Sequence, residues 1–189
     1  MAEIYLALVD TPGIFAGIIR QVIKIDYIHV TLSMDKNLET AYSVGRRNPS
    51  IPFLAGFTRE QADEIERAFP DARYKIIAIS CTSEQKENIL KELTDYYEKR
   101  HQIHYCILGL PFILLNRPFY QKNHYTCSSF LAKLLSNNGV TQFSKHFSLV
   151  TPKDFYIVYT ENIVFEGKLC NYISDRRFCT GESVVYEMS

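Results

Sequence analysis

Two residues of the chain are of the right type and setting for acyl-transfer chemistry. Cys127 opens the stretch "CSSFLAKLLSNNG" after the polar, aromatic lead-in "NHYT". With Thr126 as N-cap, Cys127 takes the first helical position, beside backbone N–H groups that have no intrahelical acceptor. Those groups and the helix dipole favour a thiolate, the nucleophilic form of cysteine. The same N–H groups can stabilise an oxyanion once the thiolate attacks a carbonyl. An imidazole beside it would activate the thiol and later protonate the leaving group. The plainer role is packing: a free cysteine is commonly buried, and Cys127 lies four residues before Leu131 on the apolar face.

The elements around these residues can be read from periodicity. "DYIHVTLSMDKNLETAYSVGRR" reads as a hairpin, two β-rich runs about the turn residues Asp35, Lys36 and Asn37. Alternation puts Ile28, Val30, Leu32 and Met34 on one face and Tyr27, His29, Thr31 and Ser33 on the other, so His29 occupies the less apolar face. "EIYLALVD" and "ARYKIIAISC" read as strands. Thr11 and Pro12 start a helical pattern carried by Ile14, Phe15, Ile18, Ile19, Val22 and Ile23. Thr82 with Gln85 marks the capping box of a helix over "TSEQKENILKELTDYYEKR". "NPSIPFLAGF" reads as a loop or irregular arm, "REQADEIERAF" as a short helix, and "YIVYTENIVFEGKL" as a closing hairpin. The Cys127 helix stops at Asn138-Gly139. With no repeat, linker or low-complexity tract, residues 1–189 form a single α+β domain.

Composition narrows the classes of function. Twenty-one basic residues balance 21 acidic ones, so the net charge gives no sign of a nucleic-acid partner. Five cysteines in an odd, irregular set suggest neither a disulfide framework nor a zinc knuckle. The N-terminus lacks the basic region and cleavage site of a signal peptide. No apolar run reaches the roughly 18 residues that span a bilayer; the longest, "CILGLPFILL", contains Pro111. A cytoplasmic protein without stable membrane insertion is the expectation.

The pattern "YIHVTLSMD", a β-return, and "YTCSSFLAKLL" about a hundred residues later resembles the circularly permuted branch of the NlpC-type, papain-like cysteine hydrolases, often called YiiX-like. In that branch the histidine strand precedes the cysteine helix, as His29 precedes Cys127 here. "LVTPKDF" and "FEGKL" also resemble C-terminal segments of bacterial members. The resemblance implies a permuted papain-like fold, with an antiparallel sheet packed against the nucleophile-bearing helix. It makes Cys127 the nucleophile and His29 the general base and acid of a thiol hydrolase acting on a peptide, amide or lipid substrate, with no cofactor or metal. Passing the acyl group to an amine or alcohol, as in the lecithin:retinol acyltransferase type, is the alternative reaction, and a non-catalytic binding domain is a third reading.

The family's third residue, which orients the imidazole, falls by gap-free spacing on Ala41, which cannot accept a hydrogen bond. A two-residue shift selects Glu39 on the same strand face, with Tyr42, Ser43 or water as alternatives. Where many relatives have an acidic residue two after the cysteine, this chain has Ser129. Tyr125 and Tyr105 are candidates for binding an oxyanion, although a tyrosine is often a packed ring. His101, His104 and Cys106 lie close together but lack a fourth ligand, which favours a surface cluster over a metal site. Arg46 and Arg47 can meet an anionic group, with a solvated pair as the plainer reading; His124 reads as a loop histidine.

Overall fold

A computed structural model describes residues 1–11, 27–47 and 55–180, with side chains to residue 174. The helical pattern that starts at Pro12 and most of the arm around residues 48–54 lie outside the described residues.

Strand β1 (Ala2–Asp10) is the central ladder of the fold, because its apolar residues are buried on both faces. It pairs antiparallel with β2 (His29–Ser33) on one side and with β5 (Arg73–Cys81) on the other. Beyond β2 come β3 (Ala41–Arg46) and β4 (Ala55–Glu60), then the two-residue strands β6 (His104–Tyr105) and β7 (His124–Tyr125). Beyond β5 lies β8 (Ile163–Lys168). The sheet therefore has eight strands in the order β7-β6-β4-β3-β2-β1-β5-β8, antiparallel except between β6 and β7.

Alternation of side chains divides the core in two. Ile4, Leu6 and Leu8 of β1 join Val30, Leu32, Val44, Phe57 and Ile77 in the larger cluster. Tyr5, Ala7 and Val9 join Ala72, Tyr74 and Ile76 in the smaller. Helix α1 (Ala62–Ala68) and the C-terminal helix α6 (Leu169–Thr180) serve the smaller cluster through Ala62, Leu169 and Ile173. Helix α2 (Ser83–Glu98) serves the larger with Ile89 and Leu93, and its N-terminus is closed by the Thr82–Gln85 capping box.

Helix α3 (Gly109–Leu114) is a short, largely exposed element, whereas α4 (Cys127–Asn137) is buried along much of its length and lies against β2 and β3. Phe130 of α4 meets Phe57 of β4 edge-on, with ring centroids 5.1 Å apart. Helix α5 (Pro152–Val158) completes the set with Phe155 buried.

The expected α+β class is met: a mostly antiparallel sheet carries helices around it. The short helix expected in "REQADEIERAF" forms as α1, but it starts later than expected: Arg59 and Glu60 end strand β4, because residues 55–60 pair in register with β3. One local expectation fails. The closing hairpin is absent: residues 152–158 are helical, and β8 pairs with the distant β5.

Candidate catalytic site

His29 opens β2 and is laddered to Val9 of β1. The ladder between β2 and β3 is registered at Leu32–Tyr42 and Ser33–Ala41, the turn end, and does not extend to His29. Its ring is held by side chains. Nε2 of His29 lies 2.9 Å from Oε1 of Glu60, the last residue of β4. The hydroxyl of Ser43 donates to the same Glu60 oxygen in a short hydrogen bond. Both carboxylate and imidazole are largely enclosed, with side-chain exposures of 11% and 21%.

Strand β3 makes room for this arrangement. Its alternation "AYSVG" places Ala41, Ser43 and Gly45 on one face and Tyr42 and Val44 on the other. A Cβ on Gly45 would lie 2.9 Å from Cε1 of His29 and 3.3 Å from Nε2, closer than side chains tolerate. The glycine is thus a close-approach residue for the imidazole.

Glu39, the residue expected to orient His29, does not do so. The chain turns before β3, with buried Leu38 at φ 55°, and Glu39 is exposed in that turn. Its N–H donates to Oδ1 of Asp35 at 3.2 Å, and its carboxylate meets Asn37. Of the alternatives, Ser43 reaches the constellation through Glu60, while Tyr42 packs in the apolar core near Phe57. Ala41, on which the gap-free spacing falls, is the cross-strand partner of Glu60. The carboxylate comes from the neighbouring strand. The available signals were an acidic residue ending a β-compatible run and the small-large alternation of "AYSVG".

Cys127 stands at the first position of α4, 4% exposed. Thr126 caps the helix: its Oγ1 accepts from the Ser129 N–H at 3.1 Å, and Ser129 Oγ accepts from the Thr126 N–H at 2.9 Å. Ser129 therefore closes a capping box with a hydroxyl. Ser128 Oγ donates to the Val150 carbonyl at 2.6 Å, tying the same turn to the segment before α5.

The electrostatics tie Cys127 to His29. Burial alone would lower the pKa of His29, but the charges of Glu60 and Cys127, with side-chain hydrogen bonds to both, push it up to about 10. Burial would raise the pKa of Glu60, yet the His29 charge and hydrogen bond, the Ser43 hydroxyl and the Arg46 charge bring it below the ordinary carboxylate value. Glu60 is then the acceptor and Nε2–H of His29 the donor. Burial raises the pKa of the thiols of Cys81 and Cys106.

The two tyrosines part company. The Tyr125 hydroxyl lies 3.1 Å from that of Tyr120 and accepts from Lys133 Nζ at 3.2 Å, so it is engaged by those two side chains. Tyr105, on β6, has its phenol pKa pushed up first by burial and then by the charges of Cys127 and Cys106.

The remaining candidates have other duties. Arg47 donates to the carbonyls of Arg100 and Ile103, passing over Gly56, where a Cβ would lie 2.5 Å from its Nη2. Arg46 reaches Thr11 Oγ1 at 3.3 Å and stacks over Phe69. His104 lies against His124, ring centroids 5.1 Å apart. Among the described residues no group of three His, Cys, Asp or Glu side chains is placed to hold a metal ion.

No protein-family model, curated protein or solved structure matches the chain.

Proposed function

We propose that the chain is a cysteine hydrolase of permuted papain-like type, with Cys127 as nucleophile, His29 as general base and acid, and Glu60 as the group that orients His29. The observation that carries this reading is the enclosed His29 imidazole with the Glu60 carboxylate 2.9 Å from Nε2, together with Cys127 at a capped helix start, whose charge and that of Glu60 raise the imidazole. With Nε2 given to Glu60, Nδ1 is the ring nitrogen left for Cys127. A nucleophile, a base and an orienting carboxylate in that order constitute the triad logic found on unrelated folds.

The reaction is acyl transfer to sulfur, then to water. Sγ of Cys127 attacks the carbonyl carbon, and the carbonyl electron pair moves to oxygen. The backbone N–H groups at the start of α4 and the Tyr105 hydroxyl stabilise that oxyanion. Collapse expels the amine or alkoxide, which takes the proton held by His29. Water then attacks the thioester, gives its proton to His29, and releases the carboxylic acid and the thiol. Substrates are esters or amides with a carbonyl exposed enough to reach Cys127. An acyltransferase would share the first half and differ only in the acceptor.

The test is to trap the intermediate. Incubation with a panel of activated acyl esters and peptide anilides, followed by acid quench and peptide mass analysis, should show an acyl group on Cys127 and on no other cysteine. Loss of the adduct in buffer alone identifies a hydrolase, and loss only after an amine is added identifies a transferase. No adduct with any of these acyl donors, or an equal adduct on His29→Asn, would overturn the proposal.

A further inference from the structure

The chain's neutrality hides a strong division of charge. From Lys99 to Lys153 the sequence has no Asp or Glu, yet it carries seven of the 21 Lys and Arg residues, and His101, His104, His124 and His146 as well. The rest of the chain is left with 14 basic residues against 21 acidic ones. The cationic segment also carries the densest exposure of aliphatic side chains: Ile107 is 53% exposed, Leu108 66%, Leu114 60% and Leu115 66%. They flank or belong to α3, and Tyr120 beside them is 43% exposed.

This element is firmly built. The ring of Phe112 stacks on Phe119 at 4.6 Å, and the Phe119 N–H donates to Ser148 Oγ at 3.2 Å. Cys106 N–H donates to the Tyr125 carbonyl at 2.9 Å, fixing the start of the segment beside β7. Smaller side chains would serve as a mere connection, whereas here four large aliphatic groups stand in water on a supported base. Such patches mark interaction sites on soluble domains. Arg117 and Lys122 follow directly in sequence and are exposed.

We propose that residues 107–122 form a peripheral docking element for an anionic lipid bilayer. The aliphatic groups enter the boundary between headgroups and acyl chains, and Arg117 and Lys122 meet the lipid phosphates. Charge complementarity selects this occupant: the segment has no acid to repel an anionic surface. Of the five exposed apolar groups named, Tyr120 alone has a flat face for stacking on bases and the four aliphatic ones have none, which disfavours a nucleic acid. The proposal stands whether or not Cys127 is a nucleophile.

Cosedimentation of the full chain with vesicles of phosphatidylcholine, with and without 30% phosphatidylglycerol, tests it. Binding should require the anionic lipid and weaken as salt is raised, since surface charges are screened beyond about 10 Å at 0.1 M. Each cation removed by Arg117→Glu or Lys122→Glu should weaken it about fivefold or more. Leu108→Ser with Leu115→Ser, both exposed and so tolerated by the fold, should abolish it. Equal binding to both vesicle types, no binding to either, or leucine variants that bind as the parent does would overturn the proposal. Retention of a duplex oligonucleotide that the leucine variants keep, or a dimer in solution that they lose, would overturn it in favour of those partners.

Discussion

His29 holds a proton in the folded chain that an ordinary imidazole releases near pH 6.5, because its pKa is pushed up to about 10. A raised pKa means that folding is favoured by protonation. This contribution is fully present below about pH 6.5 and is lost as pH rises through 10. Glu60 works with the opposite sign: its contribution is present above its ordinary value of 4.5 and is lost as pH falls through its lowered folded value. Thermal denaturation should therefore show a parent Tm that declines between pH 6.5 and 10, with a flatter profile in His29→Asn. Identical slopes would mean that the imidazole is not held as described. Gly45→Ala is the finest probe of the site, since its Cβ would fall 2.9 Å from the ring. Displacing the ring by about 1 Å should lower kcat on the order of 100-fold, while KM changes little.

Secondary structure explains what could and could not be read in advance. The α4 start was legible because its signals are local: Thr126, Cys127 and Ser129 lie within four residues, and the cap forms as their spacing dictates. The Thr82–Gln85 cap was legible for the same reason. Glu60 was not, because a run of Glu, Asp and Arg after it has helical spacing, and only pairing with β3 makes residues 55–60 a strand. The closing hairpin failed likewise: "YIVYTENIV" is β-rich locally, yet residues 152–158 coil into α5 with Phe155 buried. Non-local pairing overrode propensity in both places. Thr126→Ala should cost about 1 kcal/mol by removing the cap, or roughly 2–4 °C in Tm for a chain of this size. The loss of activity should exceed that of stability, because the same turn presents the backbone N–H groups and Cys127. A variant with lower Tm and unchanged activity would show that the cap serves the fold alone.

At the level of the whole molecule, the sheet order brings distant segments to one place. His29, Glu60 and Cys127 come from β2, β4 and the start of α4, with Gly45 and Ser43 of β3 between the first two. The histidine precedes the cysteine in sequence, and that order was legible, as was the α+β class. The papain-like permuted topology remains part of the proposed function. The charge division was also present in the sequence, but a net charge of zero concealed it, and only exposure of Leu108, Leu114 and Leu115 gives it meaning. Among the described residues no helix is long and apolar enough to cross a membrane.

The central claim is that His29, held by Glu60, makes Cys127 reactive. The most direct measurement is the rate at which iodoacetamide labels each cysteine at pH 7, resolved by peptide mass analysis, in the parent chain, His29→Asn and Glu60→Gln. Cys127 should be labelled faster than Cys81 and Cys106, whose thiols burial keeps protonated. Its rate should fall at least tenfold in His29→Asn and by an intermediate amount in Glu60→Gln, with circular dichroism unchanged. A Cys127 rate that is the same in all three proteins would contradict the triad.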